Sequence, residues 1–316
     1  MFETLLASIS SEQTKIRRAQ PDSAKCRGYS PRDPNPSGGC CQLVSALSCI
    51  VAPPASAVPS APEYVALGDS RAAAPTRTSA RVPDGCGRTP DGYQTHVAAQ
   101  LGMTYKSVAC VNAYTRDVTA NPQLTLFGPR PVQVSALSRS TRLVTLSIGG
   151  NDLQWWSLIS SCFTRTFGQD ARCRHDRVVA RRIDSGLTAV APKIGAVLNR
   201  VAARAPNARV VLVGHGGYYG RTGRPGQANI SNADAAYLQT FFQRFDATLR
   251  TAAVTRSMTF VDVASAAVGH DACAGAARWF EGNASQSQTQ PRHPTPLGSR
   301  AIANLITRAL SPSGLS

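Results

Sequence analysis

Five short apolar runs, rich in β-branched residues, punctuate the chain: YVALG at 64–68, YKSVA at 105–109, LVTLSI at 143–148, RVVLVG at 209–214 and MTFVDV at 258–263. Between them, apolar positions recur at the helical period over roughly 91–102, 177–205, 231–252 and 296–310. The second of these helices puts Ile183, Leu187, Val190, Ile194, Val197, Leu198 and Val201 on one stripe, and the third repeats the pattern with Leu238, Phe241, Phe242, Phe245 and Leu249. Near-continuous apolar strands alternating with amphipathic helices predict a parallel sheet covered on both faces. The expected architecture is a three-layer α/β/α sandwich with a five-stranded parallel sheet, spanning 61–316. No internal repeat interrupts it, and SQSQTQ at 285–290 is the one small low-complexity tract.

Residues 1–60 follow a different pattern. The first 42 are polar and broken by Pro and Gly, and then CCQLVSALSCIVAPPASAVPSAP places an apolar stretch at about 43–52 ahead of Ala55, Ser56 and Ala57. An apolar core followed by A-x-A is the grammar of a secretory signal cleaved near Ala57, so 1–60 is expected to be a disordered leader with a signal peptide. The stretch upstream is longer than a usual signal, which means either a true start downstream of Met1 or an extended leader. The competing reading is a disordered tail with an incidental apolar patch. A lipoprotein anchor at Cys49 fits less well, because Ala46, Leu47 and Ser48 match such a site only in part. No run of 18 or more apolar residues predicts a membrane-spanning helix.

Cysteine usage supports export. Beyond the leader lie Cys86, Cys110, Cys162, Cys173 and Cys273, without a CxxC or a His/Cys spacing of the kind zinc needs. Disulfides of an exported protein are expected, and Cys86 with Cys110 and Cys162 with Cys173 are the closest sequence neighbours. The formal charge of +16 and pI of about 10.1 would ordinarily raise nucleic acid as a partner. Only four of the 34 basic residues are lysines, however, and the arginines are scattered through Ala-rich sequence as a GC-rich coding bias would scatter them. No nucleic-acid function is expected; a peripheral attraction to anionic cell surfaces is.

In a sheet of this kind, ligands bind beyond the carboxyl ends of the strands. The residues found there are Gly68-Asp69-Ser70 after the first run, Cys110-Val111-Asn112-Ala113 after the second, Gly149-Gly150-Asn151-Asp152 after the third and Gly214-His215-Gly216-Gly217 after the fourth. Singly, each has an ordinary reading: Ser70 as a helix cap, GGND as a strand-ending turn, His293 before Pro294 as a polar residue leading into the last helix. Their order together resembles the SGNH (GDSL-type) hydrolase family. CGRTPDGYQTHVAAQLG, FVDVASAAVGHDAC and HPTPLGSRAIANLI are similar to its secreted actinobacterial esterases and lipases, and the likeness runs over about 62–311.

That resemblance implies a flavodoxin-like fold and a secreted, monomeric esterase or lipase with no cofactor or metal, acting on small-molecule or lipid carboxylic esters. It implies Ser70 as nucleophile and His293 as general base. The oxyanion hole would consist of the backbone amides of Ser70 and Asn112 and the side-chain amide of Asn151. The position three before the histidine, often acidic in the family, is Gln290, whose carbonyl would orient the imidazole. Among the other histidines, His96 and His175 read as surface or packing residues, His215 as a pocket-lining residue and His270 as a structural one.

Several positions depart from the pattern. Asn112 stands where relatives carry the oxyanion-hole glycine, Arg71 where Tyr is common, and Ala74 where Gly is common. The loop after the fourth strand lacks the cysteine that relatives pair with that of GHDAC, which leaves Cys273 without its usual partner. Two further functions compete: a catalytically weakened relative binding surface glycan or lipid, motivated by Asn112 and the basic charge, and a cell-wall sugar deacetylase. Acyl and alcohol preference would be set by 122–131, 155–173 and 218–226, with Trp155 and Trp156 as pocket walls or plain core.

Overall fold

The computed structural model describes residues 61–79 and 84–311, so the expected leader and signal lie outside the described residues. Strand β1 (Tyr64–Gly68) runs directly into a single-turn helix α1 (Ser70–Ala73), and α2 (Tyr93–Leu101) leads to β2 (Tyr105–Ser107). A short α3 (Thr115–Thr119) and a hairpin, β3 (Gln123–Thr125) and β4 (Gly128–Arg130), precede β5 (Leu143–Ser147). Then follow α4 (Gly150–Leu153), α5 (Trp155–Ile159), α6 (Arg177–Arg204), β6 (Arg209–Val213), α7 (Asn232–Val254), β7 (Thr259–Val261), α8 (Val263–Ala266) and α9 (Pro296–Leu310).

The sheet is parallel throughout, in the order β2-β1-β5-β6-β7. Strands β1 and β5 are buried at every residue, as their unbroken apolar runs require. Edge strand β2 is shorter than its apolar run and half-exposed, although Val108 and Cys110 still donate to the Ala66 and Gly68 carbonyls beyond it. The β3–β4 hairpin had no alternating pattern to announce it, because each of its strands has three residues and β4 contains Pro129.

Chain direction reverses at β1. One crossover, through α2, moves outward to β2, whereas those through α6 and α7 move the other way, to β6 and β7. Right-handed crossovers in opposite directions put their helices on opposite faces, so α2 packs with α9 on one side and α6 with α7 on the other. The stripes of α6 and α7 anticipated from the sequence are buried in full. The reversal also makes the gap between the ends of β1 and β5 the topological switch point, the usual ligand crevice of such sheets.

Candidate active site

Ser70 occupies the first turn of α1, immediately beyond β1. The approach is tight: Gly68 has φ +141°, and a Cβ there would run into the Ser147 carbonyl oxygen of β5. Gln133 clamps the same peptide at both ends, accepting from Gly68 N at 2.7 Å and donating to its carbonyl at 2.9 Å. Capping of α1 falls to Asp69, whose carboxylate accepts from Arg71 N at 2.9 Å. The Ser70 side chain is therefore released from capping, and its hydroxyl makes no hydrogen bond among the described residues.

Asn112 and Asn151 stand on the loops after β2 and β5. Asn112 adopts the left-handed region, with φ +62°, which asparagine tolerates and which its place in the glycine position demands. Disulfide Cys86–Cys110, the Val111 amide on the Cys86 carbonyl at 3.0 Å and the Arg88 guanidinium on the Ala109 carbonyl at 2.9 Å hold this loop. Across the crevice, Asn151 donates one side-chain N–H to the Ala113 carbonyl at 2.9 Å, which fixes its amide and leaves the second N–H unspent. Asp152 accepts from both the amide and the hydroxyl of Thr115, at 2.8 and 2.6 Å, so the two loops are joined twice.

His293 arrives on the loop between β7 and α9. Gln290 N donates to the Pro75 carbonyl at 3.0 Å, Gln290 Nε2 to the Thr76 carbonyl at 3.1 Å, and Thr289 bridges Thr76. This loop is thus bonded to the segment that leaves α1. On its other side, Glu281 N donates to the His293 carbonyl and Phe280 bridges Pro294. The imidazole Nδ1 lies 2.8 Å from the Pro291 carbonyl. Pro291 thus shares the ring with Gln290, whose carbonyl was expected to orient it and which also contributes a backbone hydrogen bond to the imidazole. Between Pro291 and His293 the backbone turns through a left-handed Arg292, φ +62°. The Arg292 guanidinium lies 4.1 Å above the Trp156 ring, anchoring the loop against α5.

Beneath these groups lies a buried charged layer that the motifs do not advertise. Arg71 is 1% exposed; one amino group donates to the Gly216 carbonyl at 3.1 Å, while Nε and Nη1 have no partner among the described residues. Its guanidinium stacks 4.9 Å from both Tyr218 and Phe280. His215 is also buried with both ring nitrogens unpartnered, packed on Gly150 and 5.9 Å from Trp155. Asp246 fixes the turn above β6 by accepting from the His215 and Gly216 amides. Trp155 stacks on Tyr218 at 5.2 Å, and Trp156 packs on Phe163. His270 bonds the Ala277 carbonyl through Nδ1 and stacks on Trp279.

Burial dominates the electrostatics. It pushes the His293 pKa down to about 4 against the opposing Pro291 bond, with the Arg292 and Arg71 charges lowering it further. His215 is held well below the ordinary histidine value by burial, then by Arg71 and His293. Asp69 is raised to about 7 by burial, against the stabilising bond from Arg71 N, and Asp246 is raised to about 6 for the same first reason. Both expected disulfides form, Cys86–Cys110 and Cys162–Cys173, while Cys273 has no disulfide partner among the described residues. Among those residues no group of three or more His, Cys, Asp or Glu side chains is placed to hold a metal ion.

Known proteins share this layout. The profile of the GDSL-like Lipase/Acylhydrolase family matches residues 66–301. Lipase 2 of Streptomyces coelicolor is 33% identical over 267 residues, which cover 80% of this chain and 86% of that protein. The crystal structure of phospholipase A1 from Streptomyces albidoflavus NA297 is similar at 25% identity and a TM-score of 0.61, covering 78% of this chain and 99% of that one. The extracellular lipase of Streptomyces rimosus shares the fold with a TM-score of 0.62 at 24% identity, over 78% of this chain and 98% of that one. With Ser70 and Asn151 at the switch point of the sheet and a profile matched over most of its length, the chain belongs to the GDSL-like Lipase/Acylhydrolase family and is an ester hydrolase.

Proposed function

We propose that the protein is a secreted serine esterase or lipase in which Ser70 and His293 form a catalytic dyad, with Ser70 N, Asn112 N and Asn151 Nδ2 as the oxyanion hole. The observation that carries this reading is the direct bonding of the histidine loop to the segment leaving the serine helix, through Gln290 N on Pro75 and the Thr289–Thr76 bridge. Two disulfides support the oxidising destination, and no described helix is long and apolar enough to cross a membrane.

The chemistry follows from the hydrogen-bond pattern. A carbonyl accepts only, so the Pro291 contact keeps the imidazole proton on Nδ1 and leaves the Nε2 lone pair to take the Ser70 proton. With its pKa near 4, the ring is neutral and ready as a base at neutral pH. Attack of Oγ on the ester carbonyl makes a tetrahedral oxyanion, which faces the free N–H of Asn151 and the two backbone amides. The imidazolium then returns its proton to the departing alkoxide, and water repeats the sequence on the acyl-serine. Labelling with an organophosphonate, read by peptide mass mapping, is expected to modify Ser70 alone; an adduct elsewhere, or none, refutes the dyad.

A further inference from the structure

The β3–β4 hairpin carries side chains for which neither folding nor catalysis accounts. Its two-residue turn is Leu126-Phe127, where a tight hairpin would favour Asn-Gly. Leu124 is 81% exposed, Leu126 91% and Phe127 47%. Of the ten large apolar side chains most exposed among the described residues, three fall within these four consecutive positions, including the two most exposed of all. Such a cluster on an exposed tip marks an interaction site.

The tip is held rigidly. The Thr125 hydroxyl bridges the Asp84 and Gly128 carbonyls and receives the Phe127 amide at 3.2 Å, while Arg130 donates to the Phe127 carbonyl at 2.8 Å. The base of the hairpin reaches the catalytic rim: Gln123 Nε2 donates to the carbonyl of Val111, the residue before Asn112, at 2.6 Å. Its underside rests on the disulfide loop, with Thr125 and Phe127 against Gly85. That loop is in turn tied to α1 through Thr89 N on the Ala73 carbonyl.

Charge decides the occupant. Arg88 is paired with Asp84, whereas Arg130, whose guanidinium reaches up to the Phe127 carbonyl at the turn, has no carboxylate partner among the described residues; the whole chain carries +16. Apolar side chains projecting beside an arginine that no carboxylate neutralises match the boundary between acyl chains and anionic headgroups. Three side chains fall short of the roughly 1,000 Å² that a stable protein interface needs, which argues against a second copy. We infer that this hairpin is an interfacial anchor, inserting Leu124, Leu126 and Phe127 into an anionic lipid surface with Arg130 at headgroup level, so that the oxyanion side of the crevice opens onto the lipid. The inference rests on the lipase reading only for what docking would serve.

Docking is measurable without catalysis, on vesicles of ether-linked lipid that no esterase cleaves. The full chain is expected to bind vesicles of ether-linked phosphatidylcholine mixed equally with phosphatidylglycerol, and to bind pure phosphatidylcholine more weakly. Replacing all three tip residues (Leu124→Ser, Leu126→Ser, Phe127→Ser) is expected to weaken partitioning at least about tenfold. Leu126→Ser alone, at a side chain that packs on almost nothing, is expected to weaken it by roughly threefold. Arg130→Gln should cost about fivefold on the anionic vesicles only. Turnover of soluble p-nitrophenyl acetate should be unchanged in every one of these variants. Absence of binding by the unaltered chain, or equal binding by the triple variant, overturns the anchor. Loss of a dimer in the triple variant with vesicle binding intact assigns the tip to a second copy and overturns it equally. Vesicle binding that depends on the tip in a protein inert toward soluble esters would leave the anchor standing and sink the hydrolase mechanism instead.

Discussion

On the β2 flank of Ser70, the loop proposed to form the oxyanion hole is fixed by a disulfide, by backbone hydrogen bonds and by two side chains, Asn151 donating one of its two N–H groups to Ala113 and Asp152 accepting from Thr115. On the β6 flank, His293 is held by the Pro291 carbonyl on a loop that turns through a left-handed Arg292, while Arg71, stacked on two aromatic rings, and His215, without a hydrogen-bond partner among the described residues, are buried on the same side. The first flank is rigid where charge must be met without reorganisation. The second is built from groups whose charge states interact, so in the proposed mechanism it sets the pH at which His293 acts as base.

The comparison can be tested, beginning with the groups common to both flanks. Ser70→Ala and His293→Ala are each expected to lower p-nitrophenyl ester turnover by at least about a thousandfold, and the double variant should lose little more, because the two act as a unit. Undiminished turnover in either refutes the dyad. On the rigid flank, Asn151→Ala should reduce kcat by about a hundred- to a thousandfold with KM little changed, the cost of one oxyanion donor. A loss confined to KM would mean the amide binds substrate without meeting the oxyanion.

Stability separates the flanks next. Replacing Cys86 and Cys110 together by Ser is expected to cost about 3 kcal/mol in chemical denaturation, the chain-entropy value for a loop of this size, and to loosen the hole before the base. A smaller effect, specific to the other flank, is expected from Arg71→Met. Since the base must be neutral and its pKa lies near 4, activity should hold as pH falls until the imidazole protonates around that value. Removing the Arg71 charge relieves one of the causes that keep the ring neutral, so the acid limb of kcat/KM should move to higher pH. A merely structural role would lower the plateau and leave the limb where it is. Ala74→Gly is expected to have the smallest effect. Ala74 ends α1 at φ +55°, which a Cβ disfavours, and glycine there should gain roughly 0.5–1 kcal/mol in thermal unfolding.

How much of this was legible depends on whether the signal was local. Strands β1, β5, β6 and β7 and helices α6, α7 and α9 were visible because their apolar periods are long and uninterrupted. The hairpin was not, since two three-residue strands generate no period. Ser70, Asn112 and Asn151 could be singled out because each follows a strand end in a short motif. The structure takes Ser70 out of the cap role that its position alone suggested, because Asp69 fills that role. Gln133 had no such signal: it lies 65 residues from the peptide it clamps. The part Pro291 takes beside Gln290 in bonding the ring had no signal in the sequence, because it depends on the path of the backbone between them and His293.

By itself the sequence determined the class of fold, the places of its five sheet strands along the chain and the residue types available at their ends, since hydrophobic period and short motifs are properties of neighbours along the chain. Tertiary structure alone decided which carbonyls hold His293, that Arg71 lies beneath the base rather than in solvent, and that an apolar hairpin tip is left uncovered at the rim of the crevice. Burial, pKa and exposure are set by atoms tens to hundreds of residues away, and only the packed sheet brings those atoms together.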